Sequence, residues 1–311
     1  MPERRTALTL PFAGVPLTEH PALLREAERL GFHDVWSGET ANGTDGFTPL
    51  AQAAVVTERL RLVTGIVNPY TRGPGLLAQS AAALQELSGG RFVLGLGASS
   101  DVIVERFNGG EFRKPLTKMR ETVEALRPVL SGEGRGFGGL KLERPVTTPV
   151  PIVLAALRGK MLQLAADQAD GAFTNFLPLR GARQVAGAFG RPDKELACRF
   201  FLLPSEDLAP LARQMFAAYV SVGVYRAFFE WLGCDEIGPM ADAWATGDRA
   251  RAVELVPDDL LRDVFLVGPV EHLRERLDAF AEAGITTAVL TFIAPPDQLP
   301  GLLEAFAPGR D

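Results

Sequence analysis

Few residues in this chain could serve as bases, nucleophiles or metal ligands, and their placement narrows the chemistry further. The 311 residues include three histidines and two cysteines. Cys198 and Cys234 are too far apart for a C-x-x-C metal or redox pair. Neither stands near a plausible base, and no serine occupies a G-x-S-x-G elbow. Two loops stand out instead. In the first, a strand-like run ends in Gly95-Leu96-Gly97-Ala98-Ser99-Ser100. It reads as half of a dinucleotide fingerprint, with Ser100 at the third glycine position, or as a tight turn where backbones pack closely. In the second, Ala155-Ala156-Leu157-Arg158-Gly159-Lys160-Met161 leads into a helical run over residues 162–169. Free amides at a helix start attract an anion, and Arg158 and Lys160 add positive charge. This reads as a phosphate site, with a solvated helix cap as the plain alternative. Glycine, small polar and apolar groups suit an organic cofactor that carries the reaction itself.

Those loops need elements to aim them. Strand-like runs fall at residues 7–12, 34–37, 62–67, 92–96, 151–154, 171–175, 196–203 and 286–292. Between them lie stretches with helical spacing, such as Leu23, Leu24, Ala27 and Leu30, or Leu273, Leu277 and Phe280. Thr18 is placed to cap the first helix and Gly31 to end it. Eight strand–helix units in series imply an all-parallel sheet, and eight strands close a (β/α)8 TIM barrel. A doubly wound open sheet is the alternative. Two stretches break the rhythm: residues 131–149 before strand five, and residues 205–265 after strand seven, expected to hold two or three helices. The latter's apolar excess suits an enlarged core, a pocket wall or a dimer face. The expectation is one barrel domain over residues 1–311.

A parallel barrel carries its site at the C-terminal strand ends. Polar candidates there are Ser37, Glu39 and Thr40 after strand two, Asn68 after three, Ser99, Ser100 and Asp101 after four, Arg158 and Lys160 after five, and Thr174 and Asn175 on six. The histidines lie elsewhere: His20 at the first helix start, His33 entering strand two, His272 on the last barrel helix. A histidine base or a metal centre is not expected. The balance of 32 basic against 38 acidic side chains, −6 overall, argues against nucleic acid. Hydrophobic residues at 47% and charged ones at 23% are those of a globular chain. No apolar run is long enough to span a bilayer. A charged start, Met1-Pro2-Glu3-Arg4-Arg5-Thr6, runs directly into a strand, and a cytoplasmic location is expected.

With these loops placed, the chain resembles the luciferase-like monooxygenase superfamily, within it the branch using the deazaflavin coenzyme F420. The resemblance runs from the first strand to the last helix. It is carried by Thr64-Gly65-Ile66-Val67-Asn68-Pro69-Tyr70-Thr71-Arg72, by Leu87-Ser88-Gly89-Gly90-Arg91-Phe92-Val93-Leu94-Gly95-Leu96-Gly97, by Lys114-Pro115-Leu116-Thr117-Lys118-Met119-Arg120-Glu121, and by residues 155–161 with Ala169-Asp170-Gly171. The stretch Asn68 to Arg72 is similar to that of methylenetetrahydromethanopterin reductases. The resemblance implies a bacterial-luciferase-like barrel and a non-prolyl cis peptide at Gly65–Ile66, with Val67 and Asn68 beside it, backing the cofactor ring. It places Gly97, Ala98, Ser99 and Ser100 along the ring and its side chain. Ala156, Leu157, Arg158, Gly159, Lys160 and Met161 fall around the phosphate, and Glu39 and Asn175 also near the cofactor.

The sugar-phosphate dehydrogenases of the family carry a catalytic histidine in a Ser-Asp-His run, where this chain reads Ser37-Gly38-Glu39. Without that base, reduction is the expected direction: hydride delivery to an activated C=C or C=N bond of a small or peptide-like substrate. Glu39 is the candidate acid, if apolar surroundings raise its pKa, or else positions the ring; Tyr70 is a second donor. FMN is the alternative cofactor, in a monooxygenase, and a non-catalytic flavin-type carrier is a further alternative. Family resemblance and the apolar excess point to a homodimer.

Overall fold

The computed structural model describes residues 2–40, 43–132 and 136–309. Eight parallel strands close on one another: β1 (Arg5–Leu10), β2 (Asp34–Ser37), β3 (Arg61–Thr64), β4 (Phe92–Leu96), β5 (Ile152–Ala155), β6 (Gly171–Asn175), β7 (Glu195–Leu203) and β9 (Thr287–Phe292). The remaining strand, β8 (Phe265–Val267), pairs with Phe201–Leu203 of β7, above the point where β6 stops pairing at Arg199. Helices lie between the strands, as the alternation predicts, and the architecture is a (β/α)8 barrel. No helix among the described residues is long and apolar enough to cross a membrane.

Each barrel strand contributes one side chain to an inner apolar layer: Ala7, Trp36, Val63, Val93, Val153, Phe173, Ala197 and Val289. Trp36 and Phe173 meet at 4.8 Å between ring centroids and fill the middle, while alanines face them. A barrel plugged in this way has no pore, so ligands are confined to its ends.

The N-terminal end is closed by charge. Asp34 is fully buried and accepts hydrogen bonds from Arg5 Nη2 at 2.6 Å and Arg61 Nη2 at 2.7 Å. Arg61 Nη1 also reaches Glu195 at 3.0 Å, and Thr287 Oγ1 donates to the same carboxylate at 2.5 Å. Burial alone would push the Asp34 carboxyl up, but the two guanidiniums outweigh it and hold it below the usual range. His33 belongs to this end too, its Nδ1 accepting from the Thr6 amide at 3.0 Å.

Part of the most family-like motif is architectural. Arg91 Nη2 donates to the carbonyls of Ala54 and Thr57 at 3.0 and 2.9 Å, Nη1 to Leu60 at 2.6 Å, and Nε to Ser88 at 2.7 Å. One guanidinium thus satisfies orphan carbonyls at the end of helix Thr48–Val56 and ties them to the entry of β4.

Several boundaries differ from those expected. β1 runs over Arg5–Leu10 rather than 7–12, since Pro11 has no N–H to continue the ladder. The first helix has Glu19, not Thr18, at its N-cap, with no side-chain cap, while Gly31 follows its end at φ +89°. β3 stops at Thr64 rather than 67. Residues 205–265 hold five α-helices, Ala209–Val220, Gly223–Trp231, Gly238–Ala245, Arg249–Glu254 and Asp258–Val264, not two or three. Pro210, Gly223, Gly233, Gly238, Pro239, Gly247 and Pro257 punctuate this stretch at each joint. β8 at its end was unforeseen, because Phe-Leu-Val also suits the last turn of a helix. Of the insertion before β5, residues 133–135 lie outside the described residues.

Candidate active site

The C-terminal end of the barrel is built around a break in the β3–β4 ladder. Regular pairing ends at Val63–Val93. Thr64 then substitutes its side chain for the missing rung: Oγ1 accepts from the Gly95 amide at 2.7 Å and donates to the Gly95 carbonyl at 2.9 Å. A Cβ at Gly95 would sit 1.7 Å from the Thr64 carbonyl oxygen, so only glycine allows this approach. The peptide Gly65–Ile66 is cis. Pairing resumes beyond it, with the Val67 amide donating to Gly95 O and the Gly97 amide to Val67 O, both at 3.1 Å. The bulge is held from β2 as well: the Glu39 amide donates to Ile66 O at 2.9 Å and the Gly65 amide to Ser37 O at 2.7 Å.

Glu39, Gly65, Ile66, Gly97 and Asn175 gather at this one end, and the β5 loop joins them. Gly97 is packed so tightly that a Cβ would lie 2.6 Å from Ile66 and 3.0 Å from Ala155. Beyond it the chain turns at Ser99, φ +65°, and leads through Asp101 into a short π-helix, Val102–Phe107, the Ser100 carbonyl accepting from the Val104 amide. Ala98, Ser99 and Ser100 are half-buried along this edge.

The helix Gly159–Gln168 starts directly after β5 and has no side-chain cap on its first amides. Arg158, in extended backbone, precedes it; Gly159 has φ +53° with open space where a Cβ would point. Arg158, Gly159 and Lys160 are exposed, and neither cation has an ion-pair partner among the described residues. Uncapped N–H groups, the positive end of a ten-residue helix and two unpaired cations converge on one spot. This cradle fits a phosphate group. Ala156 is less available, since its amide already donates to Phe173 O at 2.9 Å and its side chain is buried in the outer core.

The two expected proton donors are otherwise engaged. Glu39 Oε1 accepts from Arg72 Nε at 2.7 Å, with side chains 15% and 20% exposed. Arg72 also lies over the Phe47 ring at 5.1 Å. The surroundings of Glu39 are therefore an ion pair, not the apolar setting an acid role required. Tyr70 donates its hydroxyl to the Arg113 carbonyl at 2.7 Å and packs on Phe112, pinning the loop before helix Pro115–Leu130. Burial pushes its phenol up. Asn68 is a turn-former: Oδ1 accepts from the amides of Tyr70 and Thr71 at 3.1 and 2.9 Å. Val67 points outward into the helix-covered core.

Three groups escaped the sequence reading. Arg199 on β7 faces inward and donates from Nη2 to the Gly65 carbonyl at 2.6 Å, with Cζ 5.4 Å from the Phe173 ring. Its signal was legible, being the one charged residue in the apolar run 196–203 and in phase with inward Ala197. Tyr225, from the insertion, accepts from Asn175 Nδ2 at 3.3 Å, and nothing in its sequence context announces it. Phe176 takes φ +52° and packs against Phe201, Tyr219 and Tyr225 at 5.0, 4.9 and 5.1 Å, forming an aromatic wall beside Arg199.

Comparison with known proteins places this arrangement. The sequence profile of the luciferase-like monooxygenases matches residues 4–287. A Mycobacterium tuberculosis protein, whose name puts it among coenzyme F420-dependent oxidoreductases, is 30% identical over 89% of this chain and 91% of its own length. The 5,10-methylenetetrahydromethanopterin reductase of Methanolobus tindarius is 30% identical, covering 85% of this chain and 86% of its own. Among solved structures, the coenzyme F420-dependent tetrahydromethanopterin reductase of Methanopyrus kandleri superposes with a TM-score of 0.77 at 23% identity, over 99% of this chain and 98% of that one. With a barrel broken at β3 and a profile match over nearly its whole length, the chain belongs to the luciferase-like monooxygenase family.

Proposed function

We propose that this protein is an F420-dependent reductase acting on an activated C=C or C=N bond of a small or peptide-like substrate. The observation that carries the reading is the anion cradle at Gly159, on the same barrel end as the Gly65–Ile66 bulge. The relatives that share most of this chain and bear F420 or methanopterin reductase names support it. The reduced deazaflavin, when bound, supplies hydride and reacts poorly with oxygen. The chain's residues do the rest. Amides of Gly159, Lys160 and Met161 and the cations Arg158 and Lys160 hold the phosphate; Gly65, Ile66, Gly97 and Ser99 present backbone to the ring.

The remaining task is to hold a proton, and Tyr225 is placed for it. Its oxygen accepts from Asn175, which leaves its own O–H free to donate. Burial pushes the phenol above its ordinary value, and the Asn175 bond and nearby Arg199 only partly offset that, so the group stays protonated at neutral pH. Glu39 and Arg72 then act on position, bracing the loops after β2 and β3 against each other.

Titration of the purified protein with F420 and with FMN, followed by fluorescence quenching, tests the cofactor. Micromolar binding of F420 and much weaker binding of FMN is expected; the reverse order refutes the reading. For an acceptor found by screening enones and imines, Tyr225→Phe is expected to lower kcat about 100-fold with little change in F420 affinity. An unchanged kcat places the donor elsewhere.

A further inference from the structure

The barrel interior holds three arginines that differ in one respect. Arg5 and Arg61, at the closed end, are neutralised by Asp34 and Glu195. Arg199, two residues nearer the open end than inward-facing Ala197, has no carboxylate partner among the described residues. Its electrostatic neighbours are the phenols of Tyr225 and Tyr219 and the Cys198 thiol. One of its donors is used on Gly65 O, and Nε is buried with no partner. A guanidinium offers five N–H donors, so most of this fork is unspent.

A half-buried cation with no counter-charge and a buried, unpartnered Nε is costly, and a closed core would have replaced it or paired it. At the open end of a barrel, the missing anion is supplied by a ligand. We propose that Arg199 binds a carboxylate of the substrate, and that this carboxylate sits on a flat, conjugated or aryl skeleton. The proposal deepens the reductase reading, since it places this recognition at the proposed reaction end. Two features select that class. A guanidinium fork matches the planar carboxylate by paired hydrogen bonds in a way an ammonium cannot. The surrounding walls are flat rings: Phe173 lies under the guanidinium, and Phe176 with Tyr219 and Tyr225 stands beside it. Asn175 and Tyr225 line the same edge and extend the polar patch.

Calorimetric titration of the full chain with trans-cinnamate and with trans-cinnamamide tests this without any turnover. The two probes share a shape and differ in charge. The wild-type protein is expected to prefer the acid at least 10-fold. Arg199→Met should abolish that preference while amide binding stays within about twofold, and Arg199→Lys should keep part of it. If the Met variant does not fold, the Lys variant and Arg199→Gln carry the comparison. Equal affinity for acid and amide, binding of neither, or a preference that survives loss of the guanidinium overturns the proposal. F420 affinity of the wild type, measured in parallel, separates the two ideas. An acid preference that depends on Arg199 upholds the arginine's role even where F420 fails to bind.

Discussion

Gly159→Asp is expected to raise the dissociation constant for F420 roughly 100-fold while leaving the protein as stable as before. Sterically the substitution is mild. Gly159 has φ +53°, a region aspartate tolerates better than most residues, and no atom lies within 4 Å of the position its Cβ would take. A carboxylate in the first turn of a helix is favourable by itself, by roughly 0.3–1 kcal/mol. The damage is confined to the ligand: two negative charges in contact across a partly screened surface repel by roughly 3 kcal/mol. Gly159→Asn, equal in shape and neutral, should retain most of the affinity. Melting curves and F420 titrations of both variants read the result. Equal loss in both would mean that shape, not charge, governs the position; no loss in either would move the phosphate away from this helix.

The second large effect is at the opposite end. Asp34→Asn is expected to destabilise the protein by roughly 3–5 kcal/mol, because it removes the buried carboxylate that two half-buried arginines pair with. Arg5 suffers most, since Arg61 keeps Glu195 and Arg5 keeps only a long contact to exposed Glu3. The pH dependence has a definite sign. The folded state holds Asp34 below its ordinary value, so the folded chain binds fewer protons there than the unfolded chain. Its contribution is fully present above the unfolded value, about 3.9, and is lost as pH falls from there through the folded value. Urea unfolding should therefore show a wild-type advantage at pH 7 that narrows below about pH 4. An advantage under about 1 kcal/mol at neutral pH contradicts the account.

These two sites show what the sequence makes legible. The barrel follows from alternation, because parallel strands buried on both faces read as short apolar runs. The glycines at 95, 97 and 159 are visible as loop signals. Their reasons differ: backbone approach to Thr64, packing on Ile66, and a positive φ at a helix start. Side-chain partnerships are harder to read, since they join residues from separate loops and strands. Arg72 lies within the conspicuous run from Thr64 to Arg72, yet its pairing with Glu39 spans two loops and changes what the carboxylate can do. Tyr70 looked like a donor by type, and its engagement with Arg113 depends on a loop brought back by a distant turn. Tyr225 comes from an insertion whose composition names no role. Arg199 was readable by strand phase alone, and its orphaned guanidinium emerges only once the opposite wall is in place.

The most direct measurement is a crystal structure of the protein grown with F420. The deazaflavin ring is predicted to rest against Gly65–Ile66, with its phosphate at the amides of Gly159 to Met161. Density in a different cleft, or a phosphate remote from that helix start, would contradict the central claim.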